Sequence, residues 1–135
     1  MGVQKPNQPV PRLLAGLLAA AVLAGCGSGT ALGLTSPPPG FDPQSPKVIA
    51  QDIAFDRETL EVPAGEAFFL IFENRENVAH NVSIFEDAAL QKRRFEGVIF
   101  NGPGTRWYPV PALAPGTYVF VCEVHPNMRG LLEAR

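Results

Sequence analysis

The chain has 135 residues, 46% hydrophobic and 18% charged, with a formal net charge of −2. One small domain with appendages fits that length, and no run of Lys and Arg exceeds the three residues Lys92-Arg93-Arg94, so the chain lacks the basic footprint that grips a phosphate backbone and nucleic acid is not an expected partner. Two cysteines, Cys26 and Cys122, are too few for a disulfide-rich secreted scaffold.

In chain order, residues 1–12 carry Lys5 and Arg12 and no acid, and Leu13 to Ala24 is a run of Leu, Ala, Gly and Val only. As a helix this run rises roughly 18 Å, short of the roughly 30 Å hydrocarbon core of a bilayer, so export is expected rather than a permanent span. It ends in Leu23-Ala24-Gly25-Cys26. That ending resembles the lipobox of bacterial lipoprotein signal peptides, in which the cysteine becomes the lipidated first residue of the mature chain. The resemblance implies a signal peptide over 1–25, a lipid on Cys26, and a place in the bacterial cell envelope on the extracytoplasmic side of a membrane. An ordinary signal peptide leaving Cys26 as a free thiol is the alternative. Loss of Lys5 and Arg12 lowers the basic residues from 11 to 9 against 13 acids, a net charge of −4.

Residues 26–46 form the expected tether. Gly27 to Pro46 has four Gly, five Pro, three Ser and two Thr, without helical or strand periodicity, a composition of linkers whose root-mean-square reach at this length is about 25 Å.

The remaining segment, 47–135, reads as one domain. Short apolar runs at 48–50, 59–62, 67–72, 78–85, 97–100, 106–113, 117–123 and 130–133 alternate with turn residues such as Pro63-Ala64-Gly65, Asn101-Gly102-Pro103-Gly104 and Pro115-Gly116. About eight strands in an all-β sandwich are predicted. Pro109 and Pro111 remove ladder donors and place their strand at a sheet edge, and Asp87 to Arg94 has helical leanings. Alternation puts His80, Val82 and Ile84 on one strand face and Tyr118, Phe120 and Cys122 on one face of another.

The residues that carry chemistry are few. Both histidines of the chain, His80 and His125, the thiol of Cys122, and Met128 are all in this domain, three of them as Cys122-x-x-His125-x-x-Met128. A thiolate, an imidazole and a thioether converging on one point make a donor set that suits copper and suits hard cations poorly. A zinc half-site also uses Cys and His; the thioether of Met128 speaks against it. Each residue alone has a plainer reading, His80 as a hydrogen-bonded strand residue and Cys122 as a small apolar core residue. Spacing alone does not show that His80 meets the loop.

Ala79-His80-Asn81-Val82, the run Pro115-Gly116-Thr117-Tyr118-Val119-Phe120-Val121-Cys122, and the loop Cys122-Glu123-Val124-His125-Pro126-Asn127-Met128-Arg129-Gly130 together resemble the cupredoxins, the blue-copper family of plastocyanin and amicyanin. The resemblance covers essentially all of 47–135. It implies a Greek-key β-sandwich, one type 1 copper held by His80, Cys122 and His125 with Met128 as a weak axial ligand, and one-electron carriage between redox partner proteins rather than enzymatic turnover. It further implies that Asn81 ties the first-ligand strand to the cysteine strand and that His125 is the ligand facing solvent.

The loop departs from amicyanin's in having Val124 where the relative has proline. Its N–H is expected to point at the Cys122 sulfur and raise the reduction potential. Pro103, Pro126 and Met128 are candidates for an apolar docking rim, Lys92-Arg93-Arg94 is a solvated cluster or a steering patch for an acidic partner, and Trp107 and Tyr108 are packing residues. Copper storage or delivery in the envelope uses the same ligands and is the rival function. A metal-free interaction module would not need the full ligand set. A dinuclear copper centre lacks its second cysteine, and a multicopper oxidase lacks its further histidines.

Overall fold

The computed structural model describes residues 1–2 and 33–135, and within them no helix forms. The expected signal peptide beyond residue 2, Cys26, and the tether up to residue 32 lie outside the described residues. Eleven strands follow in order: β1 Lys47–Gln51, β2 Ala54–Phe55, β3 Thr59–Val62, β4 Phe68–Asn74, β5 Ala79–His80, β6 Ser83–Phe85, β7 Arg93–Glu96, β8 Phe100–Asn101, β9 Gly104–Val110, β10 Gly116–Val121 and β11 Arg129–Ala134.

They form a sandwich. One sheet has the order β2-β1-β4-β9, the other β3-β11-β10-β6-β7, and β5 pairs with β8 as a small third ladder. Parallel pairing of β1 with β4 and of β3 with β11 breaks the simple meander, as Greek-key connections do. Alternation of apolar and polar residues makes each strand two-faced: in β3, Leu60 and Val62 are buried while Thr59 and Glu61 are exposed. The inward faces supply one core, with Val48, Leu70, Phe72 and Tyr108 from the first sheet against Ile84, Phe120 and Leu132 from the second. Phe72 stacks on Tyr108 with centroids 5.8 Å apart.

Three differences from the sequence reading have local causes. The predicted strand 78–85 is two strands, because His80 pairs with Phe100 in β8 whereas Ser83 pairs with β10 and β7; the chain changes partners at Asn81-Val82. The stretch from Asp87 to Arg94 is a turn rather than a helix. The Asp87 carboxylate accepts the Ala89 N–H at 2.9 Å and Leu90 takes φ 55°, a left-handed conformation that no helix continues through, and the chain enters β7. The short β2 folds back on β1, and eleven strands replace the expected eight or so.

The proline-bearing β9 lies at the edge of its sheet, beside β4. The segment before β1 touches it at two residues: Leu34 exchanges two backbone hydrogen bonds of 3.1 Å with Trp107, and Phe41 meets the Trp107 ring edge-on at 6.1 Å.

Candidate metal centre

At one end of the sandwich the β5 strand, the end of β10 and the β10–β11 loop meet. His80 is buried, and its Nδ1 lies 3.6 Å from Cys122 Sγ and 3.2 Å from His125 Nδ1; the third edge, His125 Nδ1 to Cys122 Sγ, is 4.0 Å. A triangle with these edges has a circumradius of roughly 2.1 Å, within the range of about 2.0–2.3 Å for transition-metal bonds to imidazole nitrogen and thiolate sulfur. The three donors are thus spaced for one ion without further movement. They are soft and borderline donors, the set that favours copper or zinc over magnesium or calcium.

The tautomer of His80 is set from behind. Its Nε2 lies 3.0 Å from the Glu76 carboxylate, which takes the ring's N–H and leaves the Nδ1 lone pair for the ion. Glu76 is itself positioned: its carboxylate accepts the Ile53 N–H at 3.1 Å, and its own N–H donates to the Asn74 side chain at 3.0 Å. Asn74, buried, completes the brace by donating to the carbonyls of Val78 and Phe100 at 2.8 and 3.1 Å. A loop with no repeating ladder therefore still satisfies its buried polar groups.

Cys122 is buried at the end of β10. Its N–H donates to the Met128 carbonyl at 2.9 Å, and the Met128 N–H to the His125 carbonyl at 2.8 Å. Two backbone bonds thereby close the loop 122–128 into a tight turn. Met128 is buried in the same core as Cys122, while Val124, Pro126 and Asn127 are exposed and His125 is half-buried.

Asn81 joins the two segments. Its Oδ1 accepts the Glu123 N–H at 2.9 Å, and its Nδ2 donates to the Gly97 carbonyl at 3.0 Å and to the Glu123 carboxylate at 3.1 Å. Ser83 donates to the same carboxylate at 2.6 Å, and Arg93 donates to its other oxygen at 2.7 Å. Gly97 has to be glycine here, since a Cβ would collide with the Val82 carbonyl and the Tyr108 ring. The Tyr108 hydroxyl donates to the Val98 carbonyl at 2.8 Å, and burial pushes its phenol far above the ordinary range, keeping it a neutral donor.

The structure brings His80, Cys122 and His125 together and places Met128 and Asn81 beside them. Among the described residues no hydrogen bond joins the Val124 N–H to the Cys122 sulfur, and the Val124 side chain is exposed. Of the rim candidates, Pro103 and Pro126 are exposed and Met128 is not. Arg93 is paired with Glu96 and Glu123, and Lys92 and Arg94 share Glu86, so each cation of the basic cluster has an acidic partner in its hairpin or in the ligand loop. Glu76, Asn74, Ser83 and Glu123 were not singled out by the sequence reading, and Arg93 was read only as part of the basic cluster; the i,i+4 spacing of Glu76 and His80 was the one signal, and it carries meaning only on a helix.

A family model described as "Cupredoxin-like domain" matches residues 17–133. Among solved structures, the chain is similar to auracyanin A, a "blue" copper protein from Chloroflexus aurantiacus, with 22% identity, TM-score 0.59, and 66% of this chain and 96% of that one covered. It is also similar to reduced auracyanin from Roseiflexus castenholzii, with 20% identity, TM-score 0.57 and coverage of 66% and 94%. Amicyanin from Paracoccus versutus follows with 21% identity, TM-score 0.54 and coverage of 71% and 86%. A comparison with curated proteins finds no significant match.

Proposed function

Because the chain belongs to the cupredoxin-like family and presents two imidazole nitrogens and a thiol sulfur at bonding distance from one point, we propose that it is a type 1 copper protein that carries single electrons between redox partners. The observation that carries this reading is the triangle of 3.2, 3.6 and 4.0 Å edges. His80, Cys122 and His125 would hold the ion in this reading, with Met128, buried in the same loop, as a weaker sulfur donor. Bound copper would supply a one-electron couple.

The protein's residues do the rest. Glu76 keeps the His80 ring in the tautomer that offers Nδ1. Asn81 and Ser83, through Glu123, fix the start of the ligand loop, so the sulfur does not swing when charge changes. His125, half-buried among exposed Val124, Pro126 and Asn127, is the side chain through which an electron enters and leaves. All three close donors are committed to the ion, which favours carriage over turnover of a substrate. The envelope location and a lipid on Cys26 complete the proposal and follow from the Leu-Ala-Gly-Cys sequence.

Titration of the purified protein with Cu(II) tests the site: one equivalent is expected to give an intense visible thiolate-to-copper band. Cys122→Ser should abolish it. A band that survives this substitution rejects the ligand set. Replacement of Cys26 by Ala, with labelled palmitate in growing bacteria, tests the anchor, and label retained by the variant rejects it.

A further inference from the structure

Glu123 directly follows Cys122, and its half-buried side chain is gripped by donors from two other segments. Asn81, the residue after His80, donates to one carboxylate oxygen at 3.1 Å, Ser83 donates to the same oxygen at 2.6 Å, and Arg93 donates to the other at 2.7 Å. A negative charge is therefore fixed beside both the thiol and the first histidine.

Asn81 and Ser83 are neutral, so any compensation of that charge rests on Arg93. Its guanidinium is held from three directions, pairing with Glu123 and with Glu96 and lying 5.6 Å from the centroid of the Phe85 ring. Ser83 and Phe85 belong to β6, Arg93 and Glu96 to β7, and the hairpin these strands form reaches the ligand loop through the Glu123 carboxylate. Because Arg93 divides its charge between two acids, the balance at Glu123 is incomplete. Lys92, its neighbour in sequence, pairs with Glu86 instead.

Hydrogen bonding alone does not call for an acid here. An amide oxygen would accept from Ser83 and Asn81 as well as a carboxylate does, and what the carboxylate adds is charge. Charge close to a redox ion acts on its two states unequally and favours the more positive one when it is negative. Glu76 acts in the same direction, since it is bonded to the Ile53 N–H and the His80 ring, but it also holds that ring, and replacing it changes geometry along with charge.

We propose that Glu123 and Arg93 form a charge pair that sets the reduction potential of the copper site, the carboxylate lowering it and the guanidinium partly restoring it. This rests on the electron-carrier reading and adds the residues that tune the carrier. A unit charge about 8 Å away, at an effective dielectric constant of about 40, shifts a one-electron equilibrium about fivefold, or about 40 mV at 59 mV per tenfold.

Redox titration of the copper-loaded protein tests the pair. Glu123→Gln should shift the equilibrium about fivefold toward the reduced ion, and Arg93→Gln about threefold toward the oxidised one. The double variant should return to within about twofold of wild type, Arg93→Lys should keep the wild-type value, and both single shifts should shrink as salt rises. Lys92→Gln removes the same charge from the same hairpin and should leave the potential unchanged. In the metal-free protein, denaturant unfolding should show Arg93→Gln and Glu123→Gln coupled by about threefold in the unfolding equilibrium constant.

A merely structural role loosens the loop in both single variants and moves both potentials the same way, which overturns the inference. So do unchanged potentials, or a Lys92→Gln shift equal to that of Arg93→Gln. Strictly additive effects in the metal-free protein overturn it without copper, by showing that the two side chains are not paired in solution. Arg93→Gln alone decides the outcome should Glu123→Gln fail to fold. A missing visible copper band, seen before any potential is measured, overturns the electron-carrier reading and takes the inference with it.

Discussion

The two segments that build the site are supported in different ways. The strand side, from His80 to Phe85, is buried along its whole length, and its polar groups are spoken for: His80 by Glu76, Asn81 by Gly97 and Glu123, Ser83 by Glu123. The loop side, Cys122–Met128, keeps its shape through two backbone bonds and the Glu123 anchor, with three of its residues exposed. The hydrogen bonds of the His125 ring are confined to the site itself. One side is a fixed wall that carries geometry. The other is a surface piece whose shape is borrowed from that wall, and it is the piece a partner can touch.

The largest expected effect comes from cutting the joint between them. Asn81→Ala removes the acceptor of the Glu123 N–H and the donor to Gly97, leaving buried groups unpaired, and should cost about 2–4 kcal/mol of stability in denaturant unfolding of the metal-free protein. A loss under about 0.5 kcal/mol would mean that the loop holds itself and the contrast drawn above is wrong. A double-mutant cycle of Asn81→Ala with Glu123→Gln should show coupling of about 0.5–3 kcal/mol, as expected for direct contacts.

Next in size is the asymmetry of the histidines. His80→Ala opens a cavity in the core end and strands the Glu76 carboxylate, so the metal-free protein should lose about 1–3 kcal/mol. His125→Ala, on the loop, should lose less than about 0.5 kcal/mol, while both abolish the copper band. Equal losses would place the two rings in equivalent surroundings. A smaller effect is expected of Glu76→Gln. An amide can present either N–H or C=O to the ring and no longer enforces one tautomer, so Cu(II) affinity should fall about tenfold by competitive chelator titration, with stability changed little.

What the sequence revealed and what it withheld divide along the same line. Strand periodicity located most strands, and the Cys122-x-x-His125-x-x-Met128 spacing with the His80-Asn81 pair located the donors, because both are local patterns or short motifs. Pro109 and Pro111 placed β9 at an edge for a reason visible in the chain, a missing N–H. The supports were hidden. Glu76 reaches His80 across an irregular loop braced by Asn74, and Glu123 reaches Ser83 across 40 residues, so nothing in local pattern announces either. The split of 78–85 into β5 and β6 depends on which strands lie alongside. The apparent helix at Asp87 to Arg94 had charges whose partner, Glu86, lies across a hairpin.

The smallest predicted effect concerns Val124. A valine in place of the relative's proline suggested an N–H aimed at the thiolate, where it would withdraw charge and raise the potential. In the structure that N–H is not spent on the sulfur, and the side chain beside it faces solvent. Val124→Pro then deletes no bond to the ligand, and the reduction potential should move by less than about 20 mV, well under the 59 mV that marks a tenfold change in a one-electron equilibrium. Voltammetry of the two copper-loaded proteins measures this directly. A fall of about 60 mV or more would show that the N–H turns to the sulfur once the ion is bound. The loop would then be shaped partly by its metal, and only the strand side would count as built in advance.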